Sequence, residues 1–130
     1  MNFSKLRHRI IFLSPTDEII NSMGETVPRY KPFKPYIPLS LQVDADKVYL
    51  SHDNDGNAVL EYANGKPYAH KLALENFSVA AFVAPTTGRE YEESQKIRAE
   101  TTYKISTRYF RNITPAMRIL YNNREFEIVS

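Results

Sequence analysis

The sequence contains no cysteine. Disulfide frameworks, thiolate zinc sites, cysteine nucleophiles and iron–sulfur clusters are thereby excluded. No apolar run comes near the roughly 20 residues that a membrane-spanning helix needs. The N-terminus MNFSKLRHRIIFLSP starts basic, but its apolar core is only Ile10 to Leu13. A signal-peptide h-region takes about 7–15 residues, so no secretion signal is expected. Glycine is scarce: Gly24, Gly56, Gly65 and Gly88 are scattered, and none lies in a P-loop or a G-x-G-x-x-G. Charge of one sign is also lacking. Lys+Arg 17 against Asp+Glu 15 leaves +2, too balanced for a protein whose main task is coating nucleic acid.

What is present is ordinary globular composition. The chain has 130 residues, 42% hydrophobic and 25% charged, which fits one domain, residues 1–130. Leu6 to Leu13 alternates as a strand, with Leu6, His8, Ile10 and Phe12 on one face, and is expected to end at Ser14-Pro15. Thr16 to Met23 reads as a helical turn or a loop closed by Gly24. Glu25 to Gln42 carries Pro28, Pro32, Pro35 and Pro38, a spacing that argues against helix and central strand and for an extended, polyproline-like segment. Two readings stand for it: a loop crossing the outside of a barrel, or an arm docking on a neighbouring subunit through Tyr30, Phe33 and Tyr36.

Lys47 to His70 reads as a β-meander, with an Asp-Gly turn at Asp53–Asn57 and a type I′ turn at Asn64-Gly65. Tyr68 to Asn76 is ambiguous. Ser78 to Ala84 is apolar on both faces and predicts a fully buried strand. Thr87 with Glu90 makes a capping-box pattern, followed by Glu92 and Glu93 early and Lys96 and Arg98 late, a helix signature. Thr101 to Phe110 alternates as a strand. Met117–Tyr121 and Arg124–Val129 form a hairpin whose apolar face is Met117, Ile119, Tyr121, Phe126 and Ile128. The expected fold class is mainly β: a small antiparallel barrel or sandwich of about six to eight strands with one short α-helix.

The chemistry-bearing residues favour plain roles. His8, His52 and His70 sit in no triad motif, and there is no G-x-S-x-G, so no catalytic residues are assigned. Asp44, Asp46, Asp53, Asp55 and Asn57 suggest calcium, but aligning Gly56 to the EF-hand pattern puts Ser51 and Tyr62 at ligand positions. A hairpin turn wants the same residues, and no metal or cofactor is expected. Lys5, Arg7, Arg9 and the KPFKPY stretch interleave basic and aromatic side chains, which keeps open an OB-like nucleic-acid-binding domain.

Three stretches, taken in order, resemble the phage head–tail joining family, the head–tail adaptor, head closure or stopper proteins of long-tailed phages. They are Ala84-Pro85-Thr86-Thr87-Gly88-Arg89-Glu90-Tyr91, the strand Thr101-Thr102-Tyr103-Lys104-Ile105, and Ile113-Thr114-Pro115-Ala116-Met117-Arg118 before a hairpin ending Phe126-Glu127-Ile128-Val129. Lys5 to Ile10 is similar to that family's first strand. Against the family's short connection, residues of about 25–77 look like an insertion. Family members also continue beyond the Glu-Ile-Val-Ser segment with another strand, supplied here by further chain or by a partner.

The resemblance implies a structural, non-enzymatic virion protein without cofactors. It implies a homo-oligomeric ring, usually dodecameric, at the virion neck, assembled in the host cytoplasm. Its partners would be portal and adaptor proteins on one side and the tail terminator or tail tube on the other. Genomic DNA would pass through the channel, and no membrane is involved. A tail-completion protein with the same small barrel is the neighbouring reading. Exposure patterns, rather than motif transfer, nominate Arg89, Glu90, Glu93 and Arg98 for subunit and portal contacts. The turn Asp53, Asn54, Asp55, Gly56 and Asn57 is a candidate projecting loop.

Overall fold

A computed structural model describes residues 6–20, 23–85 and 103–129. The chain divides into a larger compact unit, Arg9–Val79 with Tyr109–Ser130, and a smaller one, Met1–His8 with Ala80–Arg108.

In the larger unit, β1 (His8–Ile20) pairs antiparallel with β2 (Thr26–Phe33), Phe12 standing opposite Phe33 and Ile20 opposite Thr26. Along its other edge β1 pairs with β7 (Arg118–Tyr121), and β7 turns back into β8 (Arg124–Glu127). Ile10, Ile11, Phe12 and Leu13 of β1 are all buried. β3 (Val48–His52) and β4 (Ala58–Tyr62) form a second, two-stranded antiparallel sheet. The helix α1 (His70–Phe77) follows. Ile11, Leu13, Val48, Leu60, Phe77 and Leu120 meet in one apolar cluster with Ala45, Ala58, Tyr68 and Ala73. Full burial of one side chain the size of Phe77 contributes about 1.5–3 kcal/mol. The 25–77 stretch supplies most of this cluster, so it is a structural part of the unit.

In the smaller unit, β5 (Val79–Pro85, from Ala80 onward) pairs antiparallel with β6 (Tyr103–Ser106), Phe82 opposite Ser106 and Pro85 opposite Tyr103. The His8 ring accepts the Val83 N–H at Nδ1, 3.0 Å away, and lies 5.8 Å from the Phe82 ring.

The mainly β, antiparallel class expected from the sequence is observed, with eight strands and one helix among the described residues. Several local expectations are corrected. β1 does not stop at Pro15 but runs to Ile20. The register shifts between Pro15 and Glu18, where Thr16 and Asp17 oppose Arg29 alone, a bulge that absorbs the proline. The Thr16 hydroxyl donates to the Arg29 carbonyl at 3.1 Å, satisfying a group the bulge would orphan. Thr26–Phe33 is a paired strand rather than polyproline-like. Among the described residues β1 is its only ladder partner, and an edge strand tolerates Pro28 and Pro32 because their missing N–H groups need not serve a second neighbour.

The type I′ turn is at Asn122-Asn123, with φ of 53° and 64°, and not at Asn64-Gly65. There only Gly65 has positive φ, 89°, and Gly65 N–H donates to Tyr62 O while Tyr62 N–H donates to Lys66 O. The same pattern recurs at Asp53–Asn57 around Gly56, so both β-meander turns are three-residue loops with a glycine bulge. The ambiguous stretch is α1, made of good helix formers with Ala73 and Phe77 buried one turn apart. β5 is not fully buried: Val79, Ala81 and Val83 are, while Phe82 is 36% exposed. The Thr101–Phe110 strand shortens to Tyr103–Ser106, with residues 101–102 outside the described residues. Leu120, on the face opposite the expected one, belongs to the core. The helix signature at 87–98 lies outside the described residues.

Candidate functional site

The most conspicuous surface of the larger unit begins where β2 ends. From Lys34 the chain makes a turn, a short 3₁₀ segment at Leu39–Leu41 and a second turn before β3. Gln42 holds this loop with its side-chain amide. Its Oε1 accepts the Lys34 N–H at 2.9 Å, and its Nε2 donates to the carbonyls of Lys34 at 3.0 Å and Ile37 at 2.7 Å. Asn112 donates to the Pro35 carbonyl at 3.0 Å, and the Tyr36 ring stacks on Phe110 at 6.0 Å. The backbone is thus fixed from both ends while the apolar side chains point outward. Tyr36, Leu39, Leu41 and Val43 are all exposed, and the 3₁₀ segment buries none of its residues. A fixed backbone presenting large apolar groups to water is a candidate contact surface.

A second feature of the same unit is a recess of about 290 Å³ between β4, α1 and the β7–β8 turn. Its floor is core: Ile11, Leu60, Ala73 and Leu120. Its polar rim includes Arg9, His70 and Asn122. The Arg9 guanidinium is oriented by Ser78, donating from Nε to Oγ at 3.0 Å and from Nη2 to the carbonyl at 2.9 Å. The Ser78 hydroxyl in turn donates to Leu74 O. A cation therefore sits where the last carbonyls of α1 gather, which its dipole favours.

The same unit holds two polar networks. The Tyr68 hydroxyl donates to Asp44 Oδ2 at 3.1 Å and accepts from Asn76 at 2.7 Å. Burial, above all, raises the Tyr68 pKa, and the neighbouring Asp44 adds to it. His52 on β3 donates to Glu125 on β8, and Arg118 on β7 donates to the same carboxylate at 2.6 Å while covering the Tyr30 ring at 4.6 Å. Burial opposes the Arg118 charge, but its hydrogen bond to Glu125 and the surrounding carboxylates outweigh burial and raise its pKa.

Of the residues nominated from sequence, Arg89, Glu90, Glu93 and Arg98 lie outside the described residues. Tyr30 and Phe33 are half-buried on β2. Tyr30 packs against the core cluster, Phe33 meets Phe12 at 6.3 Å, and of the three aromatics only Tyr36 is exposed. Asp53 to Asn57 is exposed throughout. Asp53 Oδ1 accepts the N–H groups of Asp55 at 2.9 Å and Asn57 at 2.8 Å, and Oδ2 accepts the Asn57 amide at 3.2 Å. The Asn57 backbone bond, first among these, lowers the Asp53 pKa. These carboxylate oxygens hold the turn. Among the described residues no group of three or more His, Asp or Glu side chains gathers as a metal site. No helix of the described residues is long and apolar enough to cross a membrane. Sequence reasoning singled out Tyr36 but missed Leu39, Leu41 and Val43. The available signal was a run of large apolar side chains in a proline-punctuated stretch without strand or helix period.

A family model described as phage head completion protein matches residues 1–130. The chain belongs to the phage head completion protein family. The chain's role is therefore a structural one in phage head completion, in agreement with the resemblance carried by the 84–91, 101–105 and 113–118 stretches. Comparison with curated proteins and with solved structures finds no match.

Proposed function

We propose that this head completion protein is a connector subunit. Copies assemble into a ring, dodecameric by resemblance, at the virion neck, closing the DNA-filled head beneath portal and adaptor proteins and offering a docking surface to the tail. The observation that carries this reading is the Gln42-held loop with Tyr36, Leu39, Leu41 and Val43 turned to solvent, a surface with no purpose in an isolated chain. Ring assembly supplies one, since identical subunits related by rotation bury such surface at every interface.

Within this reading the role is non-catalytic. Arg89, Glu90, Glu93 and Arg98 serve subunit and portal contacts, and the exposed Asp53–Asn57 turn projects from the subunit. The near-neutral charge of +2 suits a channel that DNA must leave. The test is stoichiometry. Purified chain mixed with portal complex, and mature particles, are weighed by light scattering and quantitative mass spectrometry. A fixed multiple per portal ring supports the proposal, and a chain that stays monomeric with portal present and occurs singly in particles sinks it.

A second reading, a nucleic-acid contact, has one observation in its favour. Arg29 and Lys31, on the same face of β2, lie over the Tyr49 ring at 3.5 and 4.9 Å. Oligonucleotide binding that falls steeply with salt supports it. Absence of binding near physiological salt removes it.

A further inference from the structure

The loop that follows β4 places a chemically labile pair in solvent. Asn64 and Gly65 are both exposed. Gly65 holds φ of 89°, a left-handed conformation that residues with a Cβ rarely adopt. The turn therefore calls for glycine here on conformational grounds alone, since a Cβ would meet nothing within 4 Å. Every other asparagine of the chain is followed by a residue that carries a Cβ. Only the backbone nitrogen after Asn64 lacks that shield against approach to the preceding side-chain amide.

Two hydrogen bonds act on this pair in opposite senses. Asn64 Oδ1 accepts the Lys66 N–H at 3.0 Å. That donor points at the oxygen on which negative charge grows when a nucleophile adds to Cγ, so it favours addition. Gly65 N–H donates to the Tyr62 carbonyl at 2.9 Å. While that bond stands, the proton that the nitrogen must lose is engaged, and addition waits for the turn to open. The Tyr62 N–H closes the same loop by donating to the Lys66 carbonyl at 2.8 Å.

We propose that Asn64 is a deamidation site of this protein, closing onto Gly65, and that the Gly65–Tyr62 hydrogen bond restrains the reaction in the folded chain. The Gly65 nitrogen gives its proton to solvent base and bonds to Asn64 Cγ. The Cγ–Nδ2 bond breaks, and the amide nitrogen takes a proton from water and leaves as ammonia. The product is a five-membered succinimide, which water opens in either of two ways. Breaking the new bond to Cγ leaves aspartate in a normal backbone. Breaking the original peptide bond leaves isoaspartate, whose backbone passes through Cβ and Cγ. This second product lengthens the chain between the Tyr62 and Lys66 partners by one atom. The site needs no partner, so it stands apart from the ring reading.

The chain is incubated at mildly alkaline pH, folded and in guanidinium chloride, and mapped by peptide mass spectrometry with enzymatic methylation to mark isoaspartate. In denaturant Asn64 is expected to convert before every other asparagine. Conversion of another asparagine first, or none at Asn64, overturns the site. Asn64→Gln would need a six-membered ring and is expected to abolish the signal; a signal that persists belongs to another residue and also overturns the site. In the folded chain the Asn64 rate is expected to be about tenfold lower, near the most that one net hydrogen bond provides. Gly65 N–H exchange, read by NMR, measures opening of the turn. Both rates are expected to rise together as guanidinium is added below the unfolding midpoint. A folded rate equal to or above the denatured one, or a rate that ignores Gly65 opening, overturns the restraint.

Discussion

Gln42 holds three backbone groups with one side chain, so its removal isolates what the loop's rigidity is worth. Gln42→Ala leaves one N–H and two carbonyls to water, and because the site is only half-buried the cost is about 1–2 kcal/mol. Urea unfolding measures it, and amide exchange at Lys34 is expected to quicken. An unchanged Lys34 exchange rate would contradict the clamp. Asp53 gives the second residue-scale prediction. Its folded pKa is depressed, so the stability it lends is present above the unfolded carboxylate pKa and is lost as pH falls through the lower folded value. The Asp55 and Asn57 amides, bonded to its carboxylate, are expected to lose protection only in that acid range. An Asp53 titration by NMR at or above the ordinary aspartate value sinks the assignment.

At the scale of elements, the turn between β7 and β8 tests the backbone argument. Asn122 and Asn123 both hold positive φ, and Asn123 O also receives the Ala58 N–H at 2.8 Å, which ties the turn to the second sheet. Asn123→Gly is expected to be neutral or stabilising, while Asn123→Val costs about 1–2 kcal/mol from left-handed strain. Thermal denaturation of the two variants compares them, and equal melting temperatures would refute the turn type. The same hairpin shows where sequence reading succeeds. Alternation over 117–128 located it, because strand period is written in adjacent residues. Reading failed where the deciding partner was distant. Pro15 looks like a strand end until Arg29 is seen opposite a bulge. Pro28 and Pro32 look like a polyproline arm until β1 is seen on one edge only. α1 lacks a capping side chain at Ala69, so its start carries no local mark, and only the Ala73–Phe77 spacing betrays it. The contact surface was half legible. Tyr36 stood out among the prolines, but the exposure of Leu39 and Leu41 depends on Gln42 reaching back to Lys34.

At the scale of the whole molecule, the proposed function has stability and assembly draw on different apolar residues, and this separation is testable. Phe77 is fully buried in the core cluster, so Phe77→Ala is expected to cost about 3–5 kcal/mol, a large share of a small protein's stability. Leu39 and Leu41 contact solvent, and substitutions at such positions usually change stability by about 0.5 kcal/mol or less. A family role in head completion implies contact with other phage morphogenesis proteins, and the proposal assigns that contact to the exposed apolar side chains. The double variant Leu39→Ser with Leu41→Ser is therefore expected to unfold at the native denaturant midpoint yet fail to enter particles. Phe77→Ala is expected to lose its midpoint first and to enter particles only in proportion to its folded fraction. Side-by-side urea curves and particle incorporation, scored by mass spectrometry, separate the two. If the serine variant instead incorporates normally, the loop is not an assembly surface. If it loses several kcal/mol of stability, its leucines belong to the core.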